Sequence, residues 1–183
     1  MAFVAIYDTC VLFPRMMRDI LTRAAAAGLV RAQWTEHIHV ELRQRLVGKY
    51  PDMAEGEQIN KLIAYLVKTV PDCLVDGYEE LIEGIECDDP DDRHVAAAAI
   101  KAGAQAIITR DRRGFPPEFL KRHHILLKDP DDFMADLIDL PRAGPAMHQI
   151  VTEIASDRDD SVADVIARLR RNKMPLTAAK LDR

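Results

Sequence analysis

The chain has 183 residues, of which 48% are hydrophobic and 30% are charged, so it can bury a substantial core within a single domain. Its formal net charge of −5 disfavours a protein that coats nucleic acid by bulk electrostatics. No apolar run reaches the ~20 residues that a membrane helix requires, so we expect no membrane contact. Three cysteines without closely paired spacing argue against a disulfide framework or a zinc site and predict a reducing, cytoplasmic location.

Alternating strands and helices are predicted for most of the chain. Short apolar runs predict strands at residues 3–7, 73–75, 104–108 and 125–127. Helical periodicity and stop signals predict helices at residues 16–27, 36–47, 55–69, 92–103 and 131–139, with residues 29–34 as a linker. This order indicates an α/β protein, a three-layer α/β/α sandwich with a mainly parallel central sheet.

The last part of the chain has a different pattern. Residues 141–145 predict a break, and every later signal is helical, at residues 146–155, 161–171 and 176–181. We therefore expect a main domain over residues 1–139 and a C-terminal helical extension over residues 145–183. Its basic cluster at residues 168–173 could close over a groove, cover a dimer interface or cap the sheet.

Four acidic residues occupy positions that a parallel sheet could bring together. Asp8 follows the first predicted strand, Asp111 lies just past the strand at 104–108, and Asp92 begins the alanine-rich helix. Ligands of open parallel sheets bind at the carboxyl ends of the strands. Glu41 lies on a core-facing side of its helix, where a carboxylate needs a partner or a metal. An ordinary N-cap role would also account for Asp92.

A site built from carboxylates alone favours particular ions. Mg²⁺ and Mn²⁺ prefer hard oxygen ligands, whereas zinc sites usually contain cysteine or histidine. Residues 76–92 carry nine acids and no base, and residues 110–124 carry five bases against two acids. This separation of acidic from basic residues is typical of a metal site beside a basic surface that binds phosphates, although two solvent-exposed surfaces without a binding role would have the same composition.

The order of four motifs resembles the PIN domain family, in particular the VapC toxins of type II toxin–antitoxin pairs. The motifs are Ile6-Tyr7-Asp8-Thr9-Cys10, Val40-Glu41-Leu42, Asp92-Arg93-His94-Val95-Ala96 and Thr109-Arg110-Asp111. The resemblance covers about residues 1–139. Each motif alone is weak, but four in family order make a specific match.

The resemblance implies a ribonuclease that uses Mg²⁺ or Mn²⁺. Asp8 and Asp92 would be the core metal ligands, and Glu41 and Asp111 would bind the ion directly or through water. Thr109 would be the hydroxyl partner of Asp111. The implied reaction is hydrolysis of an RNA phosphodiester bond that leaves a 5′-phosphate and a 3′-hydroxyl.

Three arginines and two further positions complete the prediction. Arg110, Arg112 and Arg113 flank the carboxylates and could hold RNA phosphates by bidentate contacts. His94, at the start of the alanine-rich helix, is expected to be exposed and non-catalytic. The family often has an acid just before the phenylalanine of its last motif, where this chain has Gly114.

The leading hypothesis is an endoribonuclease toxin of the VapC kind, restrained by an antitoxin that inserts into the acidic pocket. The resemblance also implies a homodimer. Two alternatives stay open: a PIN-type RNA-processing nuclease without an antitoxin, and a non-catalytic PIN-fold binding module. The complete set of four carboxylates argues against the second alternative, because a site without catalytic function would not need to keep its acidic residues.

Overall fold

A four-stranded parallel sheet forms the centre of the protein, whose structure, a computed structural model, describes residues 3–53, 57–87 and 89–182. The strands follow the spatial order β2-β1-β3-β4, and each neighbouring pair is parallel. Their bounds are β1 Val4–Tyr7, β2 Arg31–Gln33, β3 Ala106–Ile108 and β4 Leu126–Lys128.

Eleven helices occur in the described ranges. They are α1 Thr9–Leu12, α2 Arg15–Ala26, α3 Glu36–Lys49, α4 Glu57–Thr69, α5 Glu79–Ile82, α6 Arg93–Ala102, α7 Pro117–Arg122, α8 Pro130–Ile138, α9 Ala143–Asp157, α10 Val162–Arg171 and α11 Pro175–Leu181. β2 and β3 lie on opposite sides of β1, so the two crossovers run in opposite directions along the sheet. Right-handed crossovers then place their helices on opposite faces. The predicted α/β/α sandwich with its parallel sheet is confirmed.

Three local predictions differ from the structure. The expected linker at residues 29–34 contains β2, a strand of only three residues that forms because it pairs with β1. The strand expected at residues 73–75 is reduced to one parallel bridge between Leu74 and Trp34. The expected break at residues 141–145 is shorter, since α9 begins at Ala143 and takes Pro145 into its first turn, where a missing N–H costs nothing. Glu55, the predicted start of the third helix, lies outside the described residues.

The packing of α6 fixes the centre of the domain. Its residues 95–99, Val-Ala-Ala-Ala-Ala, are almost completely buried, and α6 contacts both β1 and β3. Small side chains allow the helix backbone to lie close to the two central strands without leaving voids. The helix ends at Gly103, as the sequence predicts, and this glycine adopts the left-handed conformation at φ 59°. The start of α6 is therefore held over the sheet, which matters for the site described below.

The C-terminal helices pack against α2 and α8. Their buried residues, including Val165, Leu169 and Met174, belong to the same apolar cluster as β1 and β3. Asp131, at the start of α8, is 5% exposed and accepts hydrogen bonds from the backbone N–H groups of Leu176 (2.9 Å) and Thr177 (2.8 Å). A buried carboxylate thus caps the first turn of α11.

Within the described ranges, no helix is both long enough and apolar enough to cross a bilayer.

Replacement of Asp131 tests this anchor. Asp131→Asn leaves one amide group facing the two N–H donors of α11, so we expect a loss of about 2 kcal/mol in the free energy of unfolding. For a domain of this size that corresponds to a fall of about 4–8 °C in the melting temperature. Calorimetry of both proteins measures it. The matched control is Asp132→Asn, an exposed neighbour, and equal melting temperatures for the two variants would contradict the anchor.

Candidate active site

The candidate site lies where the order of the strands reverses. After β1 the chain builds β2 on one side of that strand and then returns to build β3 on its other side. In open parallel sheets, ligands bind outside the carboxyl ends of the strands at such a switch point. Asp8 directly follows β1, and Thr109 directly follows β3. The Asp8 N–H donates to the Ile108 carbonyl at 3.2 Å, so the two strand ends are in contact.

A hydrogen bond between side chains joins these two strand ends. The Thr109 hydroxyl, which is fully buried, donates to Asp8 Oδ2 at 2.6 Å, and Asp8 is only 6% exposed. The same hydroxyl oxygen accepts from the Asp111 backbone N–H at 3.0 Å. Thr109 therefore orients the carboxylate of Asp8 and fixes the backbone of Asp111. The sequence suggested this hydroxyl as the partner of Asp111, and the structure adds its contact with Asp8.

Glu41 is held by two partners. The Thr9 hydroxyl donates to Oε2, and His94 Nε2 lies 2.8 Å from Oε1. Burial raises the pKa of Glu41, but the hydrogen bonds from His94 and Thr9 outweigh it and leave the pKa below its usual value. Glu41 is consequently ionised, with both oxygens already accepting hydrogen bonds.

The prediction that His94 is exposed is wrong. Its side chain is 7% exposed, its ring stacks on His37 with 4.7 Å between centroids, and its Nδ1 has no partner in the part of the chain that the structure describes. The position of Glu41 in the sequence could have predicted such a contact, because a carboxylate on a core-facing side of a helix needs a partner. His94 is a basic group at the start of the helix that Asp92 opens, and it supplies that partner.

Asp92 does not act as a conventional helix cap. It precedes α6 at the end of a 3-10 turn, Pro90–Asp92, yet its side chain makes no capping hydrogen bond. Burial raises the pKa of this half-buried carboxyl to about 6, and the neighbouring charges of Asp8, Asp89 and Asp111 act in the same direction. The N-cap explanation therefore does not account for Asp92. Its carboxylate faces like charges that a bound cation would relieve.

Gly114 allows the neighbouring loop to approach Asp92. A Cβ atom built at position 114 would lie 1.6 Å from Asp92 Oδ2. No side chain can occupy this position while Asp92 keeps its place. The departure from the family pattern at residue 114 thus has a steric consequence, since an acid there is incompatible with the observed position of Asp92.

All four predicted carboxylates line one cleft of about 960 Å³. Sequence reasoning missed several other residues of its wall: Cys10, His37, Val40, Gln44, Arg45 and His94. Arg112 and Arg113 lie exposed at the cleft, the latter with 95% of its side chain accessible. The guanidinium of Arg110 instead donates to the carbonyl oxygens of Asn172 (2.6 Å) and Lys173 (3.1 Å).

The chemistry of the cleft fits a hard divalent ion. Asp8, Asp92 and Asp111 offer oxygen donors, and the repulsion at Asp92 is the electrostatic signature of a site that attracts cations. Within residues 3–53, 57–87 and 89–182, no three acidic, histidine or cysteine side chains lie close enough together to hold a metal ion between them. The carboxylates therefore share the cleft without converging on one point.

The fold and the cleft together define a class of protein: α/β/α domains with acidic side chains gathered at the carboxyl ends of a parallel sheet. The PIN domain family matches residues 4–113, which are 110 of the 183 residues and include all four carboxylates, and the chain belongs to this family. Over 64 residues it is 41% identical to the Mycobacterium tuberculosis protein named "Putative ribonuclease VapC50". That similarity covers 35% of this chain and 37% of the relative's length. No solved structure matches the chain.

The raised pKa of Asp92 predicts how stability depends on pH. The folded protein binds the carboxyl proton of Asp92 more tightly than the unfolded chain does. The resulting contribution to the free energy of unfolding is fully present below pH ~4 and is lost as pH rises towards 6. Asp92→Asn removes the effect. In the absence of metal, the variant should gain about 1–2 kcal/mol over the wild type between pH 4.5 and 7.5, after allowance for solvent screening.

Urea denaturation in EDTA at the two pH values measures this difference. Asp91→Asn is the matched control, because Asp91 is the exposed neighbour in the same turn, and it should show no comparable gain. A stability difference between Asp92→Asn and wild type that does not change with pH would contradict the crowding of charge at Asp92.

Proposed function

We propose that the protein is an Mg²⁺- or Mn²⁺-dependent endoribonuclease and the toxin of a toxin–antitoxin pair. The observation that carries this proposal is the placement of Asp8, Glu41, Asp92 and Asp111 around one cleft at the switch point of the sheet. These acids come from four separate parts of the chain. Membership of the PIN domain family and similarity to a protein named as a ribonuclease support it.

In this proposal Asp8 and Asp92 hold the ion, and Glu41 and Asp111 bind it directly or through water. A bound Mg²⁺ or Mn²⁺ ion supplies a water of lowered pKa and positive charge against the phosphate. The protein's own contribution is orientation. Thr109 fixes the carboxylate of Asp8, while the contacts from His94 and Thr9 keep Glu41 ionised and in place.

The reaction is hydrolysis of a phosphodiester bond. The water oxygen bonds to phosphorus as the bond from phosphorus to the 3′-oxygen breaks, which leaves a 5′-phosphate and a 3′-hydroxyl. Arg112 and Arg113 are exposed at the cleft and are suited to hold phosphates on either side of the bond that is cut. His94 is committed to Glu41, so the proposal gives it no role in proton transfer to the RNA.

We also propose a domain organisation, a cellular location and binding partners for the protein. The nuclease domain comprises residues 1–139 and the helical extension residues 145–183. The protein acts in the cytoplasm as a homodimer, and an antitoxin inserts into the acidic cleft. An adjacent antitoxin reading frame would support the toxin assignment, whereas its absence would favour the RNA-processing alternative.

Cleavage of a panel of structured RNAs tests the activity. The wild type should cleave with Mg²⁺ or Mn²⁺, yield 5′-phosphate ends and lose activity in EDTA. Asp8→Asn should reduce the cleavage rate at least about 100-fold, because it removes the negative charge of a carboxylate that is proposed to bind the ion. Asp76→Asn, an exposed acid outside the cleft, should retain full activity.

Two outcomes would contradict the proposal. Cleavage that persists in EDTA or in Asp8→Asn would show that the activity does not depend on this cleft. RNA binding without cleavage by the wild type across the panel would favour the non-catalytic binding module.

Gly114→Ala tests the geometry while keeping every carboxylate. The added Cβ would overlap with Asp92 Oδ2, so the Asp92 side chain must move, and we expect a loss of activity of at least about tenfold. Gly48→Ala is the matched control, because a Cβ at Gly48 in α3 meets no atom within 4 Å. Equal activity of the two variants would show that the observed position of Asp92 is not needed.

A further inference from the structure

We propose that Arg110 is a positioning residue that ties the site turn, residues 109–111, to the C-terminal end of α10. The C-terminal helices would then hold part of the active site in place. This inference rests on the proposed function, because it assigns Arg110 a role in the same cleft. It also removes Arg110 from the three arginines that the sequence suggested for RNA binding.

The end of α10 is built to receive such a group. Lys173 adopts a left-handed conformation at φ 58°, and its N–H donates to the Arg170 carbonyl at 3.1 Å. The Met174 N–H donates to the Leu169 carbonyl at 3.0 Å. This pair of bonds is the Schellman motif, and the two residues whose side chains commonly accompany it, Leu169 and Met174, are both fully buried in the apolar core.

The Schellman turn uses the carbonyls of Leu169 and Arg170, and two carbonyls just past the helix accept from another donor. These are the carbonyls of Asn172 and Lys173, and Arg110 Nη2 donates to both, at 2.6 and 3.1 Å. A guanidinium at the C-terminal end of a helix is also favoured by the helix dipole. The contact is therefore satisfied in geometry and in charge.

The other end of Arg110 lies inside the site. Its backbone N–H donates to Cys10 Sγ at 3.2 Å, and Cys10 Sγ lies 3.2 Å from the Thr109 hydroxyl. That hydroxyl donates to Asp8 and accepts from the Asp111 N–H. Arg110 thus lies between Thr109, which orients the carboxylate of Asp8, and Asp111, whose own carboxylate lines the cleft.

The support that Arg110 reaches is itself fixed. Asp131 caps α11, and Val165, Leu169 and Met174 anchor α10 in the apolar core. In contrast, Arg112 and Arg113 are exposed, and no side chain in the described residues holds the guanidinium of Arg112. An RNA phosphate can engage Arg112 without breaking a protein contact, whereas engaging Arg110 in the same way would uncap α10.

The first experiment measures the reactivity of Cys10 in the metal-free protein, which needs no RNA. Cys10 is partly buried, and Cys73 and Cys87 are buried. If Arg110 holds the turn, Arg110→Ala should increase the labelling rate of Cys10 at least about fivefold, because the turn that shields the thiol loosens. Mass spectrometry identifies the labelled cysteine.

Matched variants make this result specific. Arg112→Ala removes an identical side chain two residues further along the chain. It should leave the labelling rate of Cys10 within about twofold of the wild type. Arg110→Lys keeps a cation that can donate to the same carbonyls and should restore slow labelling in part. Unchanged labelling in Arg110→Ala would overturn the proposal.

The second experiment separates positioning from RNA contact. In active protein, Arg110→Ala should lower kcat at least about tenfold with KM within about twofold of wild type, and Arg110→Lys should recover part of kcat. In an Asp8→Asn background, Arg110→Ala should leave RNA affinity and its salt dependence unchanged. Arg112→Ala should weaken binding and reduce the salt slope by about one.

The outcomes distinguish the two proposals. Weakened RNA binding by Arg110→Ala to the extent seen with Arg112→Ala would show that Arg110 contacts phosphate and would overturn the positioning role. Faster Cys10 labelling in Arg110→Ala, together with no RNA cleavage by the wild type, would support the positioning role and contradict the proposed nuclease function.

Discussion

The parallel pairing of β1 with β3 is the constraint on which the site depends. It brings Asp8 and Thr109, which are 101 positions apart in sequence, to a separation of 2.6 Å between side-chain oxygens. Both strands are short, three and four residues, so their pairing requires the surrounding layers to hold them. The alanine surface of α6 supplies one of these layers and also places Asp92 at the same edge. A strand order that separated β1 from β3 would separate these side chains.

The site combines carboxylates that are stabilised with one that is not. Thr109 satisfies Asp8, and Thr9 with His94 satisfies Glu41, whereas Asp92 lies among like charges with its pKa raised to about 6. Active sites commonly retain such unfavourable electrostatics because a ligand relieves them. The contact from Arg110 to α10 adds support from outside the sheet. This contact connects the C-terminal helices to the turn at residues 109–111.

The sequence predicted what depends on local pattern and failed where tertiary contacts decide. The apolar run of β1 and the stop at Gly103 are local signals, and the four carboxylates followed from strand ends and family motifs. β2 has no such signal, because Arg-Ala-Gln is extended only through its pairing with β1. His94 was judged from its place at a helix start, but it is buried in a tertiary contact with Glu41, which is 53 residues away. The partner of Arg110 lies 62 residues further along the chain, beyond any local pattern.

The proposed nuclease function depends on binding of a divalent ion by the acidic cleft, and a titration with Mn²⁺ followed by electron paramagnetic resonance measures this binding. All four carboxylates line one cleft and Asp92 lies among like charges, which suits binding of a hard divalent ion. We expect the wild type to bind Mn²⁺ at pH 7.5 with a Kd below about 1 mM, and Asp8→Asn to weaken binding at least about tenfold. Absence of binding by the wild type at millimolar Mn²⁺, or equal binding by Asp8→Asn, would contradict it.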